Sequence, residues 1–588
     1  MARGSHALSL DLRCTTPGCV EHMALLNRTL SKKLSPCEDF SAFVCAGWKP
    51  QPPRATSVTD EMKWKWLADV YRLFFNGTLH LPRSVKARAV LKSCLGRPKS
   101  APSRHLEQLK TFMRDRGIPW PVKPPTDKHP VDVLLDLEIN WRCPMWFRAR
   151  FLPDRTTRVL LVSPSKPPAF SREPSFELKD LKDIERGFLP DTLSLMKSFH
   201  GIYGSPYAPA ATKMSAEIHV KIVKKLIAAL RSGKDTRRHL QLRHIERLTP
   251  SVDAATWLQY LRAHTPSNFN LTMDTAVHVD NTDTLKTLAL IMKEQSVEEI
   301  LNVIGWQFAL RYTHILAEDV PSTAVEDGAE KLFSFVCERQ LSEMFGSLLP
   351  LEYVLGKFPI ERRIEVLRFM KKVKSHVVSK ALKMNPLQRQ AVYPVSQLKF
   401  DVWPSNVIGG ILRDAFPGNE ASFMDYWIET RKASRSLLGT PEYDDLFNGL
   451  DNSEPPFSYR VHENALLVGL EVLSSPLYYV DVPDAIRYGG LGAILAGQIV
   501  RPFYNDTNVT SCGDPGLEVA FNLLRLEGPG EMSLRAARQF FFVAYCFSRC
   551  GNSDSTCNAA LRSFEPFAET FSCSSSSYMG SSQKCTYF

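Results

Sequence analysis

No histidine follows His462, so the last 126 residues of the chain have none. That stretch therefore lacks the commonest neutral zinc ligand and the commonest general base. No apolar run approaches the ~20 residues of a membrane-spanning helix; the longest, Leu491–Val500, is far too short. Cys-x-x-Cys pairs are absent, and Cys546-x3-Cys550 has no second ligand pair nearby, so zinc is the lesser reading of the cysteines. No Gly-x-Ser-x-Gly elbow offers a serine nucleophile. No repeat of ~20–50 residues points to a solenoid. Met1–Arg13 has no apolar stretch of the kind that forms a secretory leader.

What is present is an ordinary globular mixture in a long chain. Its 588 residues and 66.4 kDa exceed what one core fills, which predicts two lobes. With 44% hydrophobic and 23% charged residues, disorder and coiled coil are excluded as the main architecture. The net charge of +11 is uneven, for Glu463–Phe588 holds eight Lys or Arg against twelve Asp or Glu. A basic surface attracts polyanions. Yet the densest basic stretch, Arg231–Arg247 with Lys234, Arg237, Arg238 and Arg243, has no interleaved aromatics to stack bases. It reads as a solvated loop and helix face, and nucleic acid is not an expected partner.

Most segments read as helices. In Glu217–Leu230 the residues Ile218, Ile222, Leu226 and Leu230 recur every four, with Val223 and Ile227 beside them. Ser296-Val297-Glu298-Glu299 is a capping box ahead of Ile300, Ile304 and Phe308. A further long helix is expected through Ile364, Leu367 and Val373. Trp146–Leu152 and Arg158–Ser163, either side of Pro153-Asp154-Arg155, predict a hairpin. Residues 98–130, rich in proline and basic side chains, read as a surface connection around one short helix. The pair His239 and His244, five apart, would fall on different faces of a helix and makes a poor metal site. His462 is a lone histidine, read as structural or solvated.

Thirteen cysteines is an odd number, so at least one is unpaired or bonds another chain, which makes a covalent dimer an option. Cys14 and Cys19 are close enough for a local loop, whereas Cys37 and Cys45 need distant partners. The clusters at opposite ends suggest stitched termini, each bond contributing roughly 3–5 kcal/mol in the chain-entropy model. Cys546, in a bulky apolar run, reads as an unpaired core residue. Sequons at Asn27, Asn76, Asn270, Asn505 and Asn508 support secretion weakly. A disulfide frame requires an oxidising compartment, so a leader or anchor is expected to be missing from this chain.

Several fragments resemble the neprilysin-type zinc metallopeptidases. They begin with Cys14-x4-Cys19 and Pro36-Cys37-Glu38-Asp39-Phe40 through Cys45-Ala46-Gly47-Trp48. Leu91-Lys92-Ser93-Cys94, Val336-Cys337-Glu338-Arg339, Asn464-Ala465 and Tyr488-Gly489-Gly490-Leu491-Gly492 follow. Gln539-Phe540-Phe541-Phe542, Phe567–Cys573 and Lys584-Cys585-Thr586-Tyr587-Phe588 complete the series in the family's order. The resemblance implies a mainly α, two-lobed extracellular or plasma-membrane ectodomain with small β elements, linked termini and a partly deleted peptidase lobe. It implies an N-terminal cysteine segment 1–60 packing on the C-terminal lobe, a helical lobe 61–410 and a remnant metallopeptidase lobe 411–588. It also implies the bonds Cys14–Cys19, Cys37–Cys573, Cys45–Cys550, Cys94–Cys337 and Cys512–Cys585, leaving Cys143, Cys546 and Cys557.

The chemistry of that family rests on zinc held by a His-Glu-x-x-His helix and a later glutamate. Aligned on Tyr488–Gly492, the motif falls on Gly497-Gln498-Ile499-Val500-Arg501. Glycine donates nothing, glutamine takes no proton from water, and arginine repels a cation. Val509 stands near the third ligand's place, with Gly516-Leu517 as a remnant of its motif. Asn464 and Ala465 match the pair that in the family binds substrate backbone, with Leu466 and Leu467 replacing aromatics. The expectation is a catalytically inactive homologue, without zinc, retained to bind a peptide or protein. The alternative is an active zinc endopeptidase whose zinc helices are lost in this splice form or sequence version, as the short interval from Tyr504 to Cys512 suggests.

Overall fold

A computed structural model describes residues 14–50, 55–75, 82–96, 104–154, 157–165, 181–231, 237–316, 336–337, 340–346, 360–382, 392–403, 422–447, 457–460, 464–500, 514–527, 532–551 and 555–580. Helices predominate. Among them, in chain order, are α1 (Pro17–Thr29), α2 (Phe40–Cys45), α3 (Arg104–Asp115), α4 (Pro209–Arg231), α5 (Val297–Leu316), α6 (Ile360–Ala381), α7 (Ala493–Val500), α8 (Pro515–Glu527) and α9 (Leu534–Phe547). The strands are β1 (Phe147–Asp154), β2 (Thr157–Pro164), β3 (Arg238–Gln241), β4 (Ala276–Val279), β5 (Lys399–Trp403), β6 (Phe457–Arg460) and β7 (Ala465–Gly469). The chain forms two compact units, one of Met1–Leu73, Tyr353–Val407 and Asn452–Phe588, the other of Phe74–Glu352 and Ile408–Asp451. These divisions differ from boundaries at 60 and 410: segment 353–407 joins the unit that holds both termini, and 408–451 joins the other.

In the unit formed by Phe74–Glu352 and Ile408–Asp451, β1 and β2 make the expected hairpin, in register from Phe147↔Pro164 to Asp154↔Thr157. The sheet order is β1-β2-β4-β3. The predicted stripe of α4 buries Ile222, Val223, Leu226 and Ile227. The capping box opens α5 as read: the Glu299 amide donates to Ser296 Oγ at 3.2 Å, and the Ser296 amide donates to Glu299 Oε2 at 2.8 Å. Within the stretch 98–130, the described residues from Arg104 on are less superficial than the composition suggests. α3 buries Leu106, Leu109, Phe112 and Met113, and Ile118 and Trp120 follow them inside. Phe112 stacks on Phe308 at 5.3 Å and meets Trp141 and Trp427 edge-on, so the aromatic mass outweighs the flanking charge. His239 and His244 do not share a helix: His239 lies on β3, opposite His278 of β4, and His244 lies in the following 3₁₀ turn. Cys94–Cys337 is bonded. Cys143, the free cysteine among the described residues, is buried and shares a 2.9 Å hydrogen bond with Tyr312 Oη.

The other unit is built around α9, in which every residue from Gln539 to Phe547 is buried. A helix apolar all round belongs in a core. α6 packs by Val366, Met370, Val373 and Val377, while Ile364, expected inside, is 48% exposed. The helix carries two apolar rows, and its contacts with β5 and α7 select the second. Cys14–Cys19, Cys37–Cys573 and Cys45–Cys550 are bonded as the resemblance implies; Cys512 and Cys585 lie outside the described residues. Cys546 is not unpaired. It leaves the last turn of α9 with its Cα 5.4 Å from that of Cys557, near the start of the next helix, and the two are bonded. The three-stranded sheet has the order β5-β7-β6.

Candidate functional site

The sheet supplies one wall. β7 pairs parallel with β5 and antiparallel with β6, so both of its edges are filled. Its residues Ala465, Leu466, Leu467 and Val468 are all buried, as befits a strand covered on both faces. Asn464 and Ala465 stand at the start of this strand. Asn464 is a left-handed turn residue at φ 45° whose side chain accepts from Tyr459 Oη at 3.0 Å. Its carbonyl accepts from the Lys399 amide at 2.9 Å. Ala465 then starts the interior strand. β5 and β6 are the two outer strands of this sheet, each pairing only with β7 among the described residues. Beyond β7, burial pushes the carboxyl of Glu471 up, and its oxygens lie over Gly469.

The second wall is α7, which packs against β6. Its apolar sequence buries Ala493, Leu495, Ala496, Ile499 and Val500. Gly497 and Gln498 are half-buried. Arg501, His462, Phe503, Tyr504 and Val509 lie outside the described residues. The next described helix, α8, opens on Asp514-Pro515, an N-cap acid followed by proline at the first helical position. Asp514 Oδ1 accepts from the Gly516 amide at 2.8 Å. Its Oδ2 accepts from Tyr545 Oη at 2.9 Å and from Arg549 Nη2 at 2.7 Å. The Arg549 guanidinium lies 3.7 Å from the centre of the Tyr545 ring. The α7–α8 crossing is close. A Cβ placed on Gly516 would stand 2.6 Å from the Ala493 carbonyl oxygen and from Gly497 Cα, and nearer still to the Gly497 nitrogen.

A family model described as peptidase family M13 matches residues 36–382, more than half of the chain. The chain belongs to peptidase family M13. Neprilysin-11 of Caenorhabditis elegans is 20% identical over 544 residues, 83% of this chain and 62% of that protein. The chain thus spans less than two thirds of that relative's length. Membrane metallo-endopeptidase-like 1 of Homo sapiens is 31% identical over 88 residues, 14% of this chain and 11% of that one. Among solved structures, the Mycobacterium tuberculosis zinc metalloprotease Zmp1 in complex with inhibitor superposes with a TM-score of 0.65 at 14% identity, covering 94% of this chain and 97% of that chain. The Haemonchus galactose-containing glycoprotein complex gives 0.65 at 15% identity, covering 97% and 99%. At these identities the likeness establishes the fold.

Family M13 implies zinc, and the described residues beside β6 do not fit it. Gly497 supplies no donor atom, and the Gln498 amide is a neutral, weak ligand. Asp514, the acid that faces Gly497, already has its oxygens engaged by the Gly516 amide, Tyr545 and a guanidinium. Among the described residues, no three His, Cys, Asp or Glu side chains converge as a metal-binding group. Asp514, Tyr545 and Arg549 escaped the sequence reading as a set, although Asp514-Pro515 was a legible helix start. The unbroken apolar run Ala465–Val468 is the signal in the sequence for an interior strand, and it was not read as one.

Proposed function

We propose that this chain is an M13-family protein without zinc-dependent hydrolysis, retained as an extracellular or plasma-membrane ectodomain that binds a peptide or protein along the outer strand β6. The supporting observation is the state of Asp514: the acid that faces the degenerate motif is tied to Arg549 and Tyr545. A β-edge beside a helix keeps the capacity for strand addition when the metal chemistry is lost, because main-chain hydrogen bonds supply the affinity. Five disulfides among the described residues support an oxidising compartment. Among the described residues no helix is long and apolar enough to cross a membrane.

Elemental analysis together with a quenched-fluorescence peptide assay tests the reading. The expected result is well below one zinc per chain and no cleavage, with extended peptides captured and their N-methylated versions rejected. Stoichiometric zinc with chelator-sensitive hydrolysis overturns it. The second reading, an active zinc endopeptidase of the family whose zinc helices are missing only from this splice form or sequence version, is favoured by the eight-residue step from Tyr504 to Cys512. Cloned cDNA that reads through residues 495–515 without interruption removes that alternative.

A further inference from the structure

A metal bound between two helices is also a cross-link, and this lobe has lost the donors that would make one. We infer that Asp514, Tyr545 and Arg549 form an ionic node that now ties α8, on which α7 packs, to α9 in place of a metal, so that the lobe holds its shape with no bound ion. The inference rests on the proposed loss of zinc and adds what replaced it.

Two helices meet at one carboxylate, and α7 passes beside it. Asp514 caps α8 through the Gly516 amide. Its other oxygen receives Tyr545 from α9 and Arg549 from just beyond that helix. From α7, a side chain at the first motif position would start 3.7 Å from Asp514 Oδ1, ordinary contact distance. The carboxylate therefore fronts the point from which the family's first ligand would project. The node is well sheltered, with the Arg549 and Asp514 side chains 14% and 24% exposed. Arg549 is held on its other side as well, donating through Nη1 to the Tyr545 carbonyl at 3.0 Å and to Ser548 Oγ at 2.9 Å. Sheltered, charge-assisted hydrogen bonds of this kind are short and directional. Removing one member strands the others in a poorly hydrated place. The next residue, Cys550, is bonded to Cys45, so the node is continuous with the covalent frame.

A metal brace answers to chelators, whereas an ionic one answers only to its own residues. The test uses the full chain and follows its melting temperature in EDTA, in zinc chloride, and in the variants Asp514→Asn, Tyr545→Phe and Arg549→Met. The expected wild-type shift between EDTA and zinc is under about 1 °C, since a ligand that does not bind the native state leaves its stability alone. Asp514→Asn is expected to lower the midpoint by about 3–6 °C. Tyr545→Phe and Arg549→Met are expected to act less than additively with it, as members of one network do. A chelator-sensitive wild type, or three additive and independent effects, overturns the inference. So does an Asp514→Asn chain as stable as the wild type. Should Asp514→Asn fail to fold, the Tyr545→Phe/Arg549→Met pair carries the additivity test. Peptide hydrolysis measured on the same samples separates the two claims: cleavage that EDTA abolishes ends the proposed function, whereas no cleavage with a dispensable Asp514 ends the node alone.

Discussion

His22 sits on α1 without solvent contact, its Nδ1 3.4 Å from Tyr479 Oη and its ring edge-on to the phenol. Burial lowers its pKa to about 4, against about 6.5 in an unfolded chain. Between these values the unfolded chain takes up a proton that the folded one refuses. The site's contribution is therefore complete above pH ~6.5 and is lost as pH falls towards 4, by about 3 kcal/mol at the end. Burial also pushes the Tyr479 phenol up, with Glu21 adding to the effect, so the partner stays protonated throughout. Denaturant midpoints at pH 7 and pH 4.5 are expected to fall further in the wild type than in His22→Phe. Equal falls would show that the imidazole titrates freely. His22 drew no attention in the sequence because nothing in a helix with mixed polarity announces which polar residue is turned inward.

At the scale of elements, the α7–α8 crossing turns on two glycines with opposite tolerances. A methyl on Gly516 collides with the backbone of α7, whereas one on Gly497 finds Asp514 Oδ1 at 3.7 Å. Gly516→Ala is expected to cost about 3 kcal/mol, at the upper end for overpacking. Gly497→Ala is expected to be neutral or stabilising by up to about 1 kcal/mol, because alanine favours the helix. Urea titration of both variants checks the pair; comparable losses would mean that the two helices do not meet at these positions. Elements defined by neighbours in sequence were legible: the Ser296–Glu299 box and the β1–β2 hairpin need only local chemistry. Elements defined by distant partners were not. The interior place of β7 depends on β5, more than sixty positions away in the chain. Ile364 and Val366 both lie on apolar rows of α6, and only packing chooses between them. Cys546 and Cys557, eleven apart across a helix end, follow no periodic signal.

On the scale of the whole molecule, the unit that carries the candidate site is assembled from three stretches of chain, 1–73, 353–407 and 452–588. Its first and last stretches are joined by Cys37–Cys573 and Cys45–Cys550, with sequence separations of 536 and 505. Bonds that close such long loops remove much of the freedom of the unfolded chain. The other unit has its own bond, Cys94–Cys337, within one of its stretches. Loss of the two long-range bonds is therefore expected to act selectively. In Cys37→Ser/Cys573→Ser/Cys45→Ala/Cys550→Ala, hydrogen exchange is expected to quicken in α1, α2 and residues 555–580, while β1, β2 and α5 keep their protection. Uniform loss across both units would mean that the chain opens as one cooperative body, with no separate stability for the disulfide-stitched unit. Since β6, α7 and Asp514 belong to that unit, the same variant is expected to lose peptide capture together with exchange protection.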